Sequence, residues 1–416
     1  MAARSWRVQD ESAGRALKFV HFLLSDFHPR DFAVELPDGN CWPAEKHFPR
    51  FTWKINHPEA LRSAVFSSNR QVSLAEGYCS GDFDIAGDMA AIFALADYLI
   101  DKKWSTTEKL RLMSMALTMP STKTETGLRN MVRLNGNVHS KQRDRQAVGY
   151  HYDVSNDFYA LWLDGNMQYS AGYFEKPDED IETAQIRKLD RICRRLRLKQ
   201  GERLLDIGCG WGGLIRFAVR EYGVRALGIT LSNEQLKWAQ ARIAEEGLAD
   251  RCEARLLDYR DLNEPGGFDK IVSVGMVEHV GEANLPGYFH QAFQLLRPGG
   301  MFLNSGIARA ANRPAESKPT FTDLYIFPDG ELVTLAHLLG DAENAGFEVE
   351  YVESLREHYG LTAMHWLRRL EAREEAAKKL VGELKYRMWR LYLAGSAYYF
   401  QKSKLDLYHS LLVKGG

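Results

Sequence analysis

The densest chemical signal in this chain is a ten-residue stretch, 204–213, that reads LLDIGCGWGG. An apolar run enters a glycine-rich turn, with Asp206 just ahead of the first glycine. Gly208 and Gly210 stand where a Cβ would forbid the turn or collide with a ligand lying against the backbone. A turn of this kind, leaving a strand and opening a helix, receives a nucleotide-like cofactor. Gly213 completes a GxGxxG spacing, so spacing alone admits a dinucleotide. Two other segments separate the readings. A dinucleotide site expects an acid for the ribose about 20 residues on. Here the second strand ends in GITLSNEQ, 228–235, which leaves Thr230, Glu234 or Gln235 for that contact. After the third strand comes DYRDL, 258–262, polar and aromatic and suited to gripping adenine by hydrogen bonds and stacking. Together they favour S-adenosylmethionine over a nicotinamide cofactor.

Such a turn must be carried by a sheet. Short apolar runs at 203–207, 226–230, 256–257, 270–274 and 301–305 alternate with amphipathic helices starting at Gly213, Asn233 and Leu285, the signature of a doubly wound, Rossmann-like α/β sheet. A helix near 332–345, a strand at 347–352, a long helical stretch at 361–402 and a last strand at 407–413 follow, the last fitting an antiparallel edge strand. The front is different. Strand-like runs at 32–36 and 51–55 flank turn residues 37–39, and helical periodicity takes over from Pro58, through 92–100 and again at Leu110, Met113 and Leu117. The expected organisation is a smaller mixed α+β N-terminal domain over 1–120, a basic linker over 121–148 and a catalytic domain over 149–416. The linker holds Lys123, Arg129, Arg133, Lys141, Arg143 and Arg145 against Glu125 and Asp144; it is either simply solvated or a contact for anionic lipid headgroups.

Bulk properties narrow the class. At 416 residues and 45% hydrophobic content the chain can bury two cores. A net charge of −1 gives no reason to expect a nucleic-acid partner. Cys41, Cys79, Cys193, Cys209 and Cys252 are scattered, without metal-ligand spacing, and read as reduced thiols. No signal-like start and no apolar run of membrane-spanning length is seen, so a cytoplasmic protein touching a membrane from outside is expected.

Five segments resemble the cyclopropane-fatty-acid synthase family, with its mycolic acid cyclopropane synthases and fatty-acid methyltransferases: YHYDVSND at 150–157, MQYS at 167–170, DIGCGWGG at 206–213, VGMVEHVG at 274–281 and YIFPDG at 325–330. The resemblance covers about 149–413, and the front module is more weakly similar to the N-terminal lipid-binding domain of bacterial members. It implies S-adenosylmethionine held by Tyr169, Ser170, Gly208, Gly210, Thr230, Leu231 and Gln235, with Tyr259 and Arg260 near adenine and Val274 behind it. Asp206 and His279 complete the candidate cofactor set. The implied substrate is the cis double bond of an unsaturated acyl chain in a membrane phospholipid, and the implied product a cyclopropane or a methyl-branched chain. Family members are often dimers, so a homodimer is an expectation.

Methyl transfer to an alkene leaves a carbocation, which aromatic faces stabilise by roughly 0.5–2 kcal/mol each. Tyr152, Tyr169, Tyr173, Phe174, Trp211, Tyr325 and Tyr359 are candidates, with Tyr152, Tyr169 and Tyr359 foremost. A base must then take a proton. In the cyclopropane synthases the resemblance implies a bicarbonate held by Cys, Glu, His and Tyr side chains and a backbone group. Glu278 and Tyr359 match, with the backbone contact at Ile307, but Ala171 replaces the Cys and Ser305 the His. A buried anion does not tolerate the loss of two polar ligands without replacement. Bicarbonate is therefore doubtful here, and Glu278 or Tyr359 becomes the expected acceptor beside Ser305. A same-fold methyltransferase of small molecules and a catalytically silent lipid-binding protein remain the alternatives. The basic residues of 187–203, eight cations against Asp190 and Glu202, add an expected attraction to anionic lipid.

Overall fold

The computed structural model describes residues 2–119, 134–313 and 318–416. Contacts divide the chain into two units: 1–132, 316–325 and 383–398 form the first, and 133–315, 326–382 and 399–416 the second.

The first unit contains α1 (Ala2–Leu23), β1 (Phe32–Glu35), β2 (Cys41–Trp42), β3 (Phe51–Ile55), α2 (Glu59–Phe66), α3 (Arg70–Ser80), β4 (Phe83–Gly87), α4 (Ile92–Asp101) and α5 (Thr106–Leu117). Its sheet runs β2-β1-β3-β4, with β1 and β3 parallel. β3 shows why the alternating pattern folds as a strand: Phe51, Trp53 and Ile55 are buried while Thr52 and Lys54 are half-buried. α1 and β4 were not foreseen in the sequence. Residues from 383–398 are built into this unit, where Arg387, buried, donates to the carbonyls of Tyr78 at 2.7 Å and Phe83 at 2.6 Å.

The second unit opens with α6 (Lys141–Tyr152), α7 (Asn156–Ala160) and α8 (Ile181–Arg195). Then come β5 (Arg203–Ile207), α9 (Gly213–Tyr222), β6 (Arg225–Thr230), α10 (Asn233–Glu245), β7 (Cys252–Leu256), β8 (Phe268–Val274), α11 (Leu285–Leu295) and β9 (Leu296–Arg309). After α12 (Phe321–Tyr325), which belongs to the first unit, the chain adds α13 (Leu335–Asn344), β10 (Phe347–Ser354), α14 (Arg356–Glu371), α15 (Glu374–Gln401) and β11 (Leu405–Lys414). The seven-stranded order is β10-β11-β9-β8-β5-β6-β7. β5 to β9 pair in parallel, and β11 lies antiparallel to both β9 and β10, one place in from the sheet edge. The chain leaves β5 toward β6 and β7, then returns to the other side of β5 with β8. That reversal is the topological switch point at which open α/β sheets meet their ligands.

Several boundaries differ from the sequence reading. Residues 252–256, not 256–257, form the third strand, because only Cys252 and Ala254 alternate into the core and the run is too polar to stand out. The single helical stretch expected at 361–402 is broken at 372–373 and again at Gly382, whose φ of +80° suits glycine and lies where the chain passes from the second unit to the first. Of the basic linker, 121–133 lies outside the described residues, together with Lys123, Arg129 and Arg133. Residues 141–148 form the first turns of α6, capped by Ser140, whose Oγ accepts from the amide of Arg143. No described helix is long and apolar enough to cross a membrane.

Candidate active site

β5 ends at Ile207, and the next residues turn back beneath β6: the amides of Gly208 and Cys209 both donate to the carbonyl of Ile229 at 2.9 Å. Gly208 has φ +84° and Gly210 φ +53°, so the turn uses backbone that favours glycine. A Cβ on Gly210 would meet nothing nearer than Gln235 Nε2 at 4.0 Å; on Gly208 it would press on Met276 at 3.0 Å. The space above Gly210 is therefore free for a ligand. Gly213 has another purpose, since its Cβ would overlap Asn166 and Gln168. The third glycine of the dinucleotide-like spacing is a packing requirement of the 166–168 segment.

This turn forms the floor of a cleft whose empty space, counted out into open solvent at its mouth, is about 1070 Å³. All twelve candidate cofactor residues line it: Tyr169, Ser170, Asp206, Gly208, Gly210, Thr230, Leu231, Gln235, Tyr259, Arg260, Val274 and His279. Tyr152 lines it as well. Thr230 donates its hydroxyl to Gln235 Oε1 at 2.8 Å, which turns the Gln235 amide nitrogen toward Gly210. Trp211 is fixed by donating to Asn156 Oδ1 at 2.7 Å, so the 150–157 motif acts by holding the ring behind the turn. The rings of Tyr169 and Trp211 each lie 6.1 Å from that of Tyr152, nearly perpendicular to it.

The acid before the glycines has a partner the sequence concealed. Asp206 is buried, and burial pushes its carboxyl up to about 7 against the pull of Lys188. Burial likewise lowers the Lys188 ammonium to about 8, opposed by Asp164 and Asp206. Lys188 donates to Gln168 Oε1 at 2.6 Å and Ser170 Oγ at 2.9 Å. It had been counted in a basic run, yet it falls with Ala184 and Ile192 at four-residue spacing on the buried stripe of α8. A lysine on an apolar stripe was the signal available.

Arg260 lines the cleft, but its guanidinium is already occupied by Asp258 Oδ2 at 2.6 Å and Asp144 Oδ2 at 2.8 Å. Its geometry is that of a tie between the third-strand segment and α6. Arg143 makes a second tie, forked onto Asp329 at 2.6 and 2.9 Å. Asp144, read as a linker acid, thus belongs to the cleft wall.

Of the remaining candidates, Ser305 and Tyr359 are buried and Glu278 is half-buried with its Oε2 enclosed, and none is among the cleft-lining residues. Glu278 lies in a short turn, Val277–His279, flanked by Met276 and followed by Val280, both of which do line the cleft. Burial raises its carboxyl to about 7, although its Oε1 accepts from the amide of Ile307 at 2.7 Å. Its Oε2 is buried with no hydrogen-bond partner among the described residues. Ile307, expected to supply the backbone contact to a bound anion, has given its amide to Glu278. His279 is lowered to about 4 by burial and is neutral near pH 7. Tyr359 reaches the cleft indirectly: it meets Trp366 at 5.9 Å, which meets Tyr169 at 5.2 Å, and it stacks on Phe400 at 4.3 Å. Tyr325 lies in the first unit and donates to Glu76 Oε1 at 2.5 Å.

Opposite Ser305 on β11 stands His409, which is not among the candidates drawn from sequence motifs. The Ser305 carbonyl accepts from Gly275, on the β8 side. The Ser305–His409 pair is therefore of the non-hydrogen-bonded kind, whose side chains approach most closely. Both are buried, and burial lowers the His409 imidazole to about 3. An imidazole thus adjoins position 305, supplied by the neighbouring strand.

Most of the basic run 187–203 is engaged within the protein. Arg187 pairs with Glu179, Arg191 with Glu353, Arg194 with Asp190, Arg197 with Glu350 and Arg203 with Glu264, while Arg195 bonds Tyr351. In the former linker, Lys141 pairs with Asp261.

The model of the mycolic acid cyclopropane synthetase family matches residues 139–410. A relative from Pseudomonas putida, named as a probable fatty acid methyltransferase, is 42% identical over 94% of this chain and 95% of its own length. The cyclopropane-fatty-acyl-phospholipid synthase of Escherichia coli is 39% identical over 67% of this chain and 70% of its own. A mycolic acid cyclopropane synthase solved with SAH and CTAB superposes with a TM-score of 0.62 at 32% identity, covering 65% of this chain and 98% of that one.

Proposed function

The chain belongs to the mycolic acid cyclopropane synthetase family and is an S-adenosylmethionine-dependent methyltransferase, and from that premise we propose that it methylates the cis double bond of unsaturated acyl chains carried by membrane phospholipids. Its main product is a methyl-branched unsaturated chain, formed without bicarbonate.

The cofactor fits the cleft on this chain's own terms: Gly210 opens onto free space, and polar atoms of Gln235, Thr230 and Asp258 border it. Bound there, S-adenosylmethionine supplies an electrophilic methyl group. Tyr152, Tyr169 and Trp211 present aromatic walls that keep water out and face a developing positive charge, each ring contributing roughly 0.5–2 kcal/mol. Tyr359 backs that wall through Trp366.

The observation that carries the product assignment is Glu278. One of its oxygens is committed to Ile307, the other is buried and unpartnered, and the carboxyl titrates near 7, where a general base works best. A buried bicarbonate does not fit these residues. Ala171 and Ser305 offer neither thiol nor imidazole of their own, and the Ile307 amide is taken by Glu278. Deprotonating the added methyl closes a three-membered ring; deprotonating a neighbouring chain carbon leaves an alkene with a methyl branch. Glu278 takes the proton from the chain carbon.

The test is incubation of the purified protein with S-adenosylmethionine and vesicles of unsaturated phospholipid in degassed buffer, with and without added bicarbonate. Expected is a gain of one CH2 unit with branched-alkene signals in NMR, unchanged by bicarbonate. Cyclopropane methylene signals that appear only when bicarbonate is supplied overturn the product assignment. Absence of any CH2 gain with active cofactor binding overturns the substrate.

A further inference from the structure

Most of the described cations expected to meet lipid are engaged in internal ion pairs or hydrogen bonds, but a surface of the right chemistry exists elsewhere. α5 buries Leu112 and Ala116 against the first unit. On its other side Leu110, Met113 and Leu117 are 62%, 44% and 60% exposed. Their i, i+3, i+7 spacing, at about 100° per residue, gathers them into an arc of about 60°. A single exposed leucine needs no explanation, whereas an ordered apolar stripe pointing away from the core marks a contact surface.

The charges around the stripe identify what it contacts. From Lys109 to Met119 there is no acidic residue. Lys109 and Arg111, both exposed, have no carboxylate of the described residues within ion-pair distance, and Arg111 lies over the Phe22 ring at 4.5 Å. The nearest acid on the helix, Glu108, is turned back to accept from the Ser105 amide at 2.8 Å and hydroxyl at 2.6 Å, closing a capping box. We propose that α5 lies flat on an anionic lipid bilayer, with Leu110, Met113 and Leu117 entering the acyl boundary and Lys109 and Arg111 meeting the headgroup phosphates. The geometry is that of an interfacial helix, whose apolar side sinks about 5–10 Å while long cations reach back to the headgroups. The inference deepens the phospholipid reading above and rests on it, because an enzyme whose substrate chain is packed in a bilayer must dwell at the bilayer surface.

The experiment uses the full chain and two vesicle compositions, pure phosphatidylcholine and an equal mixture with phosphatidylglycerol. Leu110→Ser combined with Leu117→Ser changes exposed side chains only, so calorimetric S-adenosylmethionine binding stays at the wild-type value. Sedimentation with the mixed vesicles is expected to weaken at least 10-fold, and turnover on them to fall in parallel. Lys109→Glu is expected to weaken binding to the mixed vesicles several-fold and to leave the weaker binding to pure phosphatidylcholine unchanged. Unaltered vesicle binding by the double serine variant overturns the proposal. So does a fall in solution mass from dimer to monomer with vesicle binding intact, which assigns the stripe to a second copy of the chain. A wild-type protein that sediments through α5 yet adds no CH2 unit sinks the substrate reading and leaves the docking surface standing.

Discussion

At the end of β5 the polar groups face an open cleft and are shared between backbone and side chains that lie close in sequence: a glycine turn, a threonine and glutamine five residues apart, an acid before the turn. At the end of β9 the polar groups are mostly enclosed, with Ser305 and His409 buried and Glu278 half-buried. Glu278 reaches Ile307 across 29 residues, and Ser305 faces His409 across the β9–β11 ladder. The first arrangement binds a preformed ligand through many small contacts, none of them decisive except the absence of side chains at the glycines. The second places a few groups in a medium where each unpaired atom is costly, so that every substitution is felt. Binding and proton transfer should accordingly break separately.

The largest effect is expected on the cofactor side. Gly210→Val inserts a branched side chain into the space above the turn, where the protein itself offers no atom within contact distance. Calorimetry should find S-adenosylmethionine binding weakened beyond 100-fold, with a thermal transition still present. Binding retained near the wild-type level would mean that the cofactor lies elsewhere, and the contrast between the two ends would lose its basis.

Next in size is Glu278→Gln. Acid–base and electrostatic contributions are worth about 10²-fold or more, so turnover should fall by that factor while cofactor affinity changes less than twofold. With the carboxyl near 7, wild-type turnover should rise as pH passes upward through that value. Stability moves the other way. The folded carboxyl holds its proton more tightly than the unfolded one at about 4.3, so the advantage present below that value is lost as pH rises through about 7. The glutamine variant should therefore melt above the wild type at pH 8 and show no such gain at pH 4. Equal turnover in the two proteins would return Glu278 to a structural role.

These two ends also differ in how far the sequence exposed them. The strand, the glycine turn and the helix that follows are local patterns, and every cofactor candidate drawn from them or from the family motifs lines one cleft. Lys188 was in view but misread, because a count of charges ignores that it sits on the buried stripe of α8. His409 was invisible in principle: its meaning comes from a strand register that pairs residues more than a hundred positions apart. The boundary errors have the same origin. The third strand was misplaced because alternate positions of 252–256 are polar and face solvent, and the break at Gly382 is a change of unit that helical periodicity does not register.

The smallest effect is the one that sharpens the comparison most. Ser305 is buried to 1% exposure and directly opposed by the imidazole of His409. If the two side chains divide one space, the small residue at 305 is the consequence of the large one at 409. Ser305→His alone then adds a ring where a ring already stands, and overpacking of this kind costs about 1–3 kcal/mol. His409→Ser alone leaves a void in the core and should cost a similar amount. The exchange Ser305→His with His409→Ser keeps the same atoms and moves the imidazole to the other strand, so its melting point should lie closer to the wild type than that of either single variant. A double-mutant cycle measures this directly, because side chains that share a space couple whereas independent ones add. Additive losses would show that Ser305 and His409 are separate features of the core. A favourable coupling of more than about 0.5 kcal/mol would show one polar unit, whose imidazole the fold can carry on either strand.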